Sequence, residues 1–130
     1  MTDRYERFTK LEFDRPAERV LRVTFNNPKT YNSLDAEGHR QFTYLWREID
    51  DDPDISAVIL TGKGKAFSSG GDFGMIEANM NDEFARLQAW KEARDLVYNI
   101  INCNKPIVSA INGVAVGAGL VAGLLADISI

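Results

Sequence analysis

Cysteine occurs once in the 130 residues, at Cys103, and histidine once, at His39. A single cysteine excludes an internal disulfide and fits a reducing compartment, so a cytoplasmic location is expected. One histidine with no cysteine beside it gives no zinc site, and no metal is expected. Positive charge is also short: 15 Lys and Arg against 19 Asp and Glu leave a net charge of −4. No basic cluster offsets that balance, which argues against a nucleic-acid partner. The opening MTDRYERFTK has no apolar h-region, so no signal peptide is read. The longest apolar run, after Asn112, stops at Asp127, short of the roughly 20 residues that a membrane span needs. No membrane partner is expected.

What is present suits a soluble folded domain: 45% hydrophobic and 26% charged residues. One domain, residues 1–130, with a modest core is expected at this length. The chain ends on ADISI, which reads as the opening of a buried strand. Domains rarely stop there without a polar tail or another element, so the sequence reads as a fragment or a partial gene.

Periodicity supplies the elements. TKLEFDR and RVLRVTFNN alternate, with Leu21, Val23 and Phe25 facing one way, and predict two antiparallel strands across the turn RPAER. NNPKTYNSL is a loop, barred from helix by Pro28. Phe42, Leu45, Trp46 and Ile49 at helical spacing predict an amphipathic helix from Asp35 to Ile49. ISAVILTG is a continuous apolar run, predicted as a strand covered on both faces. KGKAFSSGGDF is a glycine-rich loop. Asn81 or Asp82 is expected to cap a long helix through about Asn102, with Phe84, Leu87, Trp90, Val97, Ile100 and Ile101 as its buried stripe. KPIVSAI is another buried strand, Asn112-Gly113 a turn, and the stretch from Gly117 to Asp127 a small-residue helix. The order, ββαβαβα and a strand start, argues an α/β fold.

Several chemical constellations fail on inspection. Gly117 to Ala122 matches the dinucleotide pattern G-x-G-x-x-[GA], but only Val114 to Val116 remain for its strand, and no acidic residue follows at the required distance. Asp50, Asp52 and Asp54 alternate like a calcium loop, yet the glycine and glutamate slots hold Ile55 and Thr61; a solvated helix end is expected. His39, three residues before Phe42, reads as a surface residue at a helix boundary, and Cys103 as a small buried one. Two glycine-rich segments remain, SSGGDF after a strand and GVAVGAGL before a helix. Glycines let a backbone approach a ligand closely, and a helix start offers unpaired N–H donors. Two such donors on one oxygen would form an oxyanion hole. Composition alone leaves that reading level with two tight-packing corners.

FNNPKTYNSL, ISAVILTGKGKAFSSGGDF and NKPIVSAINGVAVGAGLVAGLLADISI, in this order and spacing, resemble the enoyl-CoA hydratase/isomerase, or crotonase, superfamily from Val20 onward. The resemblance implies a crotonase-like ββα spiral, here truncated at the C-terminus, lacking later strand–helix repeats and C-terminal trimerisation helices. It implies an acyl-CoA thioester as the partner, coenzyme A being part of the substrate rather than a separate cofactor. The full-length parent would be a homotrimer or dimer of trimers. By position, the backbone N–H groups of Gly71 and Ala118 would hold the thioester oxygen and stabilise an enolate. Ser69, Gly70, Asp72 and Phe73 would lie along the thioester and nucleotide end, with Lys29 and Tyr31 as pantetheine or adenine contacts. Asp72 is expected to brace its loop by accepting N–H bonds.

Two departures qualify the resemblance. The first hydratase glutamate is replaced by Val121, and a valine neither activates water nor protonates carbon. The second glutamate would lie beyond Ile130. A two-carboxylate hydratase is therefore disfavoured, and isomerase-type chemistry with one acid/base is expected, with the acyl pocket bordered by Val121. Hydration is the alternative, and a non-catalytic acyl-CoA-binding module or inactive fragment the other.

Overall fold

The computed structural model describes residues 3–130. The period-two pattern holds: β1 (Leu11–Ala17) and β2 (Val20–Phe25) form an antiparallel hairpin. Leu21, Val23 and Phe25 are buried at 0–1% exposure. The hairpin turn is tighter than the predicted RPAER. β1 runs through Pro16 and leaves only Glu18 and Arg19, the latter at φ 62°. Pro16 is tolerated because β1 is the sheet edge, where a missing N–H breaks no ladder.

From β2 onward every pairing is parallel. β3 (Ala57–Gly62), β5 (Ile107–Ser109) and β7 (Ile128–Ser129) complete a five-stranded sheet in the order β1-β2-β3-β5-β7. Parallel neighbours require a crossover, and the helices supply it. α1 (Ala36–Asp50) joins β2 to β3, and α3 (Glu83–Ile101) lies between β3 and β5. α4 (Ala118–Leu125) lies between β5 and β7. Phe42, Leu45, Trp46 and Ile49 of α1 are completely buried in one core with Leu21, Val23, Val58, Leu60 and Ile107 of the sheet. Phe25 anchors that core, with ring centroids 4.9 Å from Phe42 and 5.3 Å from Phe67.

Several expectations are corrected. β3 buries Val58 and Leu60 fully, but Ala57, Ile59 and Thr61 are only half-buried, so one face of the sheet is thinly covered. A further helix, α2 (Phe73–Asn81), occupies the stretch before the long one. The stripe assigned to α3 is largely on the wrong side: Phe84, Leu87, Trp90 and Ile101 are 51–79% exposed, and the buried residues are Glu92, Leu96, Asn99 and Ile100. The reason is polar pairing between helices. Asn99 Nδ2 donates to the Thr43 carbonyl at 2.8 Å and Arg47 Nε donates to Asn99 Oδ1 at 2.9 Å, so α3 turns its hydrogen-bonding residues toward α1. β7 forms as a strand, with Ile128 and Ile130 exposed rather than buried.

Asp52 is not part of a solvated helix end. It is 3% exposed and accepts the Tyr5 hydroxyl at 2.6 Å. Cys103 is half-buried, and burial pushes its thiol pKa up. Among the described residues no helix is long and apolar enough to cross a membrane, and no group of three His, Cys, Asp or Glu side chains is placed to hold a metal ion.

Candidate functional site

Two very short strands carry the glycine-rich loops. β4 (Ala66–Ser68) and β6 (Val114–Ala115) pair in parallel, away from the main sheet. Parallel strands release their following segments at the same end, so the loop into α2 and the loop into α4 leave side by side. The Val116 N–H donates to the Ser68 carbonyl at 2.8 Å, continuing the ladder into the loops. Gly70 (φ 88°) and Gly117 (φ 61°) then adopt backbone conformations that disfavour side chains. They also touch: a Cβ on Gly70 would lie 3.2 Å from the Val116 carbonyl oxygen, and one on Gly117 would lie 3.4 Å from the Gly70 Cα.

The first loop is pinned residue by residue, with one gap. Ser69 N donates to the Tyr31 carbonyl at 2.9 Å, and Gly70 N to Ser68 Oγ at 3.3 Å. Asp72 N donates to the Leu34 carbonyl at 2.9 Å, while the Gly70 carbonyl accepts from Leu34 N at 2.8 Å. Gly71 N donates to no acceptor among the described residues. On the second loop Ala118 is the first residue of α4, and the first i to i−4 bond of that helix starts at Val121, which donates to the Gly117 carbonyl. The Ala118 N–H therefore has no partner in its own helix, nor elsewhere among the described residues. The residues following two touching glycines thus each present a free amide.

The remaining expected site residues fall around two hollows. Tyr31, Ser69, Gly71, Asp72 and Phe73 line one of about 520 Å³, together with Thr30, Ser33 and Ile76. Phe73 is 90% exposed, and Ser69 Oγ is committed to the Thr30 carbonyl at 2.9 Å. Ala118 and Val121 line a second hollow of about 230 Å³ with His39, Ala93, Leu96 and Val97. Lys29 lies in a single 3-10 turn (Pro28–Thr30), exposed and outside both linings. Asp72 caps α2, accepting from Met75 N at 2.7 Å, the bracing role expected of it.

Sequence reasoning passed over the residues that hold this arrangement. Asn32 is buried in a left-handed conformation (φ 60°), which asparagine tolerates better than most residues. Its Nδ2 donates to the Lys63 and Ala66 carbonyls at 3.0 and 2.9 Å, and its own carbonyl accepts from Ser68 Oγ at 2.9 Å. Asn112 Nδ2 donates to the Gly62 and Gly64 carbonyls at 2.8 and 3.0 Å, tying β6 to the loop before β4. Gly119 packs so closely that a Cβ would lie 2.4 Å from the Ser68 Cβ. His39 is 6% exposed and not a surface residue; its Nδ1 lies 3.0 Å from Glu92 Oε1. Its spacing from Phe42 and Trp46 was the available signal, since 39, 42 and 46 share one helical face.

Comparison with known proteins supplies the family. The sequence profile of the family described as Enoyl-CoA hydratase/isomerase matches residues 15–130. The chain belongs to the enoyl-CoA hydratase/isomerase family. A crystal structure of an enoyl-CoA hydratase/isomerase from Mycobacterium paratuberculosis superposes with a TM-score of 0.87 at 35% identity, over 93% of this chain and 48% of that one. The (E)-benzylidenesuccinyl-CoA hydratase of Thauera aromatica is 37% identical over 112 residues, 85% of this chain and 43% of that protein. The mitochondrial Delta(3,5)-Delta(2,4)-dienoyl-CoA isomerase of Dictyostelium discoideum is 30% identical over 113 residues, 78% of this chain and 38% of that protein. The chain thus spans less than half the length of these relatives. Its mixed α/β architecture is that of the crotonase fold, and the twin glycine-rich loops lie inside the matched region.

Proposed function

We propose that the protein binds an acyl-CoA thioester with its carbonyl oxygen between the Gly71 and Ala118 N–H groups, and that these donors stabilise the enolate formed when charge moves onto that oxygen. The observation that carries this reading is the pair of unpartnered amides on two loops in backbone contact. Donors fixed in place before the reaction need no reorganisation as charge develops, and each is worth about 3 kcal/mol of transition-state stabilisation. In this reading the larger hollow takes the pantetheine arm along Tyr31, Ser69 and Phe73, and Lys29, outside it, is a contact for the pantetheine or the adenine. Gly70 and Asp72 shape the loop, through a left-handed backbone and a helix cap respectively. The acyl chain points past Val121.

The reaction proposed is isomerisation of a carbon–carbon double bond by a single acid/base. α4 reads AGLVAGLL and carries no ionisable side chain, so the helix that supplies the first donor of a two-carboxylate hydration has none to give. Most of the matched relatives are named hydratases and one is named an isomerase, and hydration is the second reading. Incubation with a 3-enoyl-CoA and a 2-enoyl-CoA separates them. Conversion of the former to the conjugated thioester is expected; consumption of only the 2-enoyl-CoA supports hydration, and binding without turnover of either supports an acyl-CoA-binding module. Exposed Phe84, Trp90 and Met80, at 63–79%, give α2 and α3 an apolar face that suits self-association, as a homotrimer on the family pattern.

A further inference from the structure

The hollow that Ala118 and Val121 line has one ionisable residue in its wall, His39. The rest of the lining, Ala93, Leu96, Val97, Ala118 and Val121, offers no acid or base. His39 comes from α1 and Glu92 from α3, and the two are 6% and 5% exposed. Glu92 Oε1 lies 3.0 Å from His39 Nδ1, and Oε2 accepts from Gln88 Nε2 at 3.0 Å, so the carboxylate is held at both oxygens. In a neutral imidazole a carboxylate on Nδ1 places the ring proton there, which makes Nε2 the proton-accepting nitrogen.

Nε2 has no hydrogen-bond partner among the described residues, and it is not sealed in the core. Trp46 Nε1 is the only side-chain nitrogen or oxygen among them that is both buried and unpartnered. Nε2 therefore opens to accessible space, and the cavity that His39 lines also holds Ala118, whose N–H is free. A His–Glu pair that served only to bolt α1 to α3 would not need one ring nitrogen left bare and accessible on a residue that lines an otherwise apolar hollow.

The geometry points to His39 as the proton-transfer residue for an acyl-CoA thioester seated in this hollow, with Glu92 as its positioning residue; the inference rests on the acyl-CoA reading above. Nε2 takes a proton from the carbon beside the thioester carbonyl. The C–H electron pair becomes the enolate double bond, and the carbonyl π pair moves onto the oxygen between Gly71 and Ala118. Return of the proton from the imidazolium to the same carbon regenerates the thioester. Where the substrate has a 3,4 double bond, return to the distal carbon gives the conjugated isomer, with no atom or electron gained or lost. Val121 leaves α4 without a carboxylate, and His39 supplies the base from α1.

The test uses the chain with butyryl-CoA in D2O, following binding by calorimetry and α-proton exchange by NMR. The unaltered chain is expected to bind and to exchange, and His39→Gln to bind with unchanged affinity but exchange at least about 100-fold more slowly. Glu92→Gln is expected to bind butyryl-CoA with unchanged affinity, to slow exchange, and to move the His39 ring ¹⁵N resonances away from the Nδ1–H pattern; a purely structural role would leave the exchange rate of the folded, binding variant unchanged. Equal exchange by His39→Gln and the unaltered chain overturns the proposal. So does binding without exchange by the unaltered chain, which leaves the acyl-CoA reading standing. Absence of butyryl-CoA binding by the unaltered chain overturns the acyl-CoA reading, and this proposal with it. Because His39 is the only histidine, its ring resonances give a readout without substitution. They are expected to shift on titration with butyryl-CoA, and an unmoved ring overturns the proposal even where His39→Gln fails to fold.

Discussion

Ala118→Pro removes one hydrogen-bond donor from the proposed oxyanion site and little else. Ala118 is the first residue of α4, where proline's fixed φ suits the helix and its missing N–H belongs to an amide that the helix never uses. No bond of the fold is lost, because that N–H has no acceptor among the described residues. The thermal midpoint should therefore stay close to that of the unaltered chain. The chemical step should not. Loss of one oxyanion donor removes about 3 kcal/mol, a factor of 10²–10³ in rate, whereas loss of a neutral hydrogen bond to the ground-state carbonyl costs affinity only about 1 kcal/mol. Isomerisation of a 3-enoyl-CoA, or α-proton exchange of a saturated acyl-CoA, measures the first quantity, and calorimetric titration the second. Ala118→Gly retains the N–H and should keep most of the rate. Turnover by Ala118→Pro at the unaltered rate, with the fold intact, would remove Ala118 from the mechanism.

Gly119→Ala places a methyl carbon 2.4 Å from the Ser68 Cβ and 2.8 Å from its Oγ, between α4 and β4. Ser68 is fully buried and bonded, so the helix must back away; a net loss of about 2 kcal/mol in denaturant unfolding is expected despite alanine's better helix propensity. A gain in stability would show that α4 does not pack this closely. Tyr5→Phe removes the 2.6 Å bond to Asp52. Burial opposes the charge on Asp52, but the Tyr5 hydroxyl, the Asp54 N–H, Arg4 and Arg15 outweigh it and hold the carboxyl pKa below its ordinary value. A depressed carboxyl stabilises the fold above its unfolded pKa and loses that contribution as pH falls through the folded value. The variant should thus be about 2 kcal/mol less stable near neutral pH, with the gap closing below about pH 4. A gap that stays constant from pH 7 to 3 would dismiss the Asp52 linkage. Phe84→Glu, which charges a side chain 79% exposed on α3, should shift sedimentation toward monomer without lowering the thermal midpoint; unchanged association would clear this face of a role in assembly.

The parts of the fold that alternate or repeat cleanly were legible in the sequence. Leu21, Val23 and Phe25 marked β2, and Phe42, Leu45, Trp46 and Ile49 marked the buried face of α1, because in both the apolar side is the core side. α3 misled for the opposite reason. Its contact with α1 is made by Glu92 and Asn99, whose burial is compensated by partners more than 50 residues away in sequence, while its apolar residues face outward. Hydropathy carries no trace of a partner on another helix. The same long-range pairing hid His39, and α2 was masked by a short glycine-bearing sequence, FGMIEANMN, with none of its residues buried. Gly71 and Ala118 were reached from the family resemblance, not from their side chains. What a sequence could not give is the gap in the hydrogen-bond ladder at Gly71, flanked by bonded Gly70 and Asp72.

A structure of the protein with a bound acyl-CoA tests the central claim most directly. The thioester oxygen is expected within about 2.7–3.1 Å of both the Gly71 and the Ala118 nitrogens. An oxygen that contacts only one of them, or that points into solvent with both amides still bare, would contradict it.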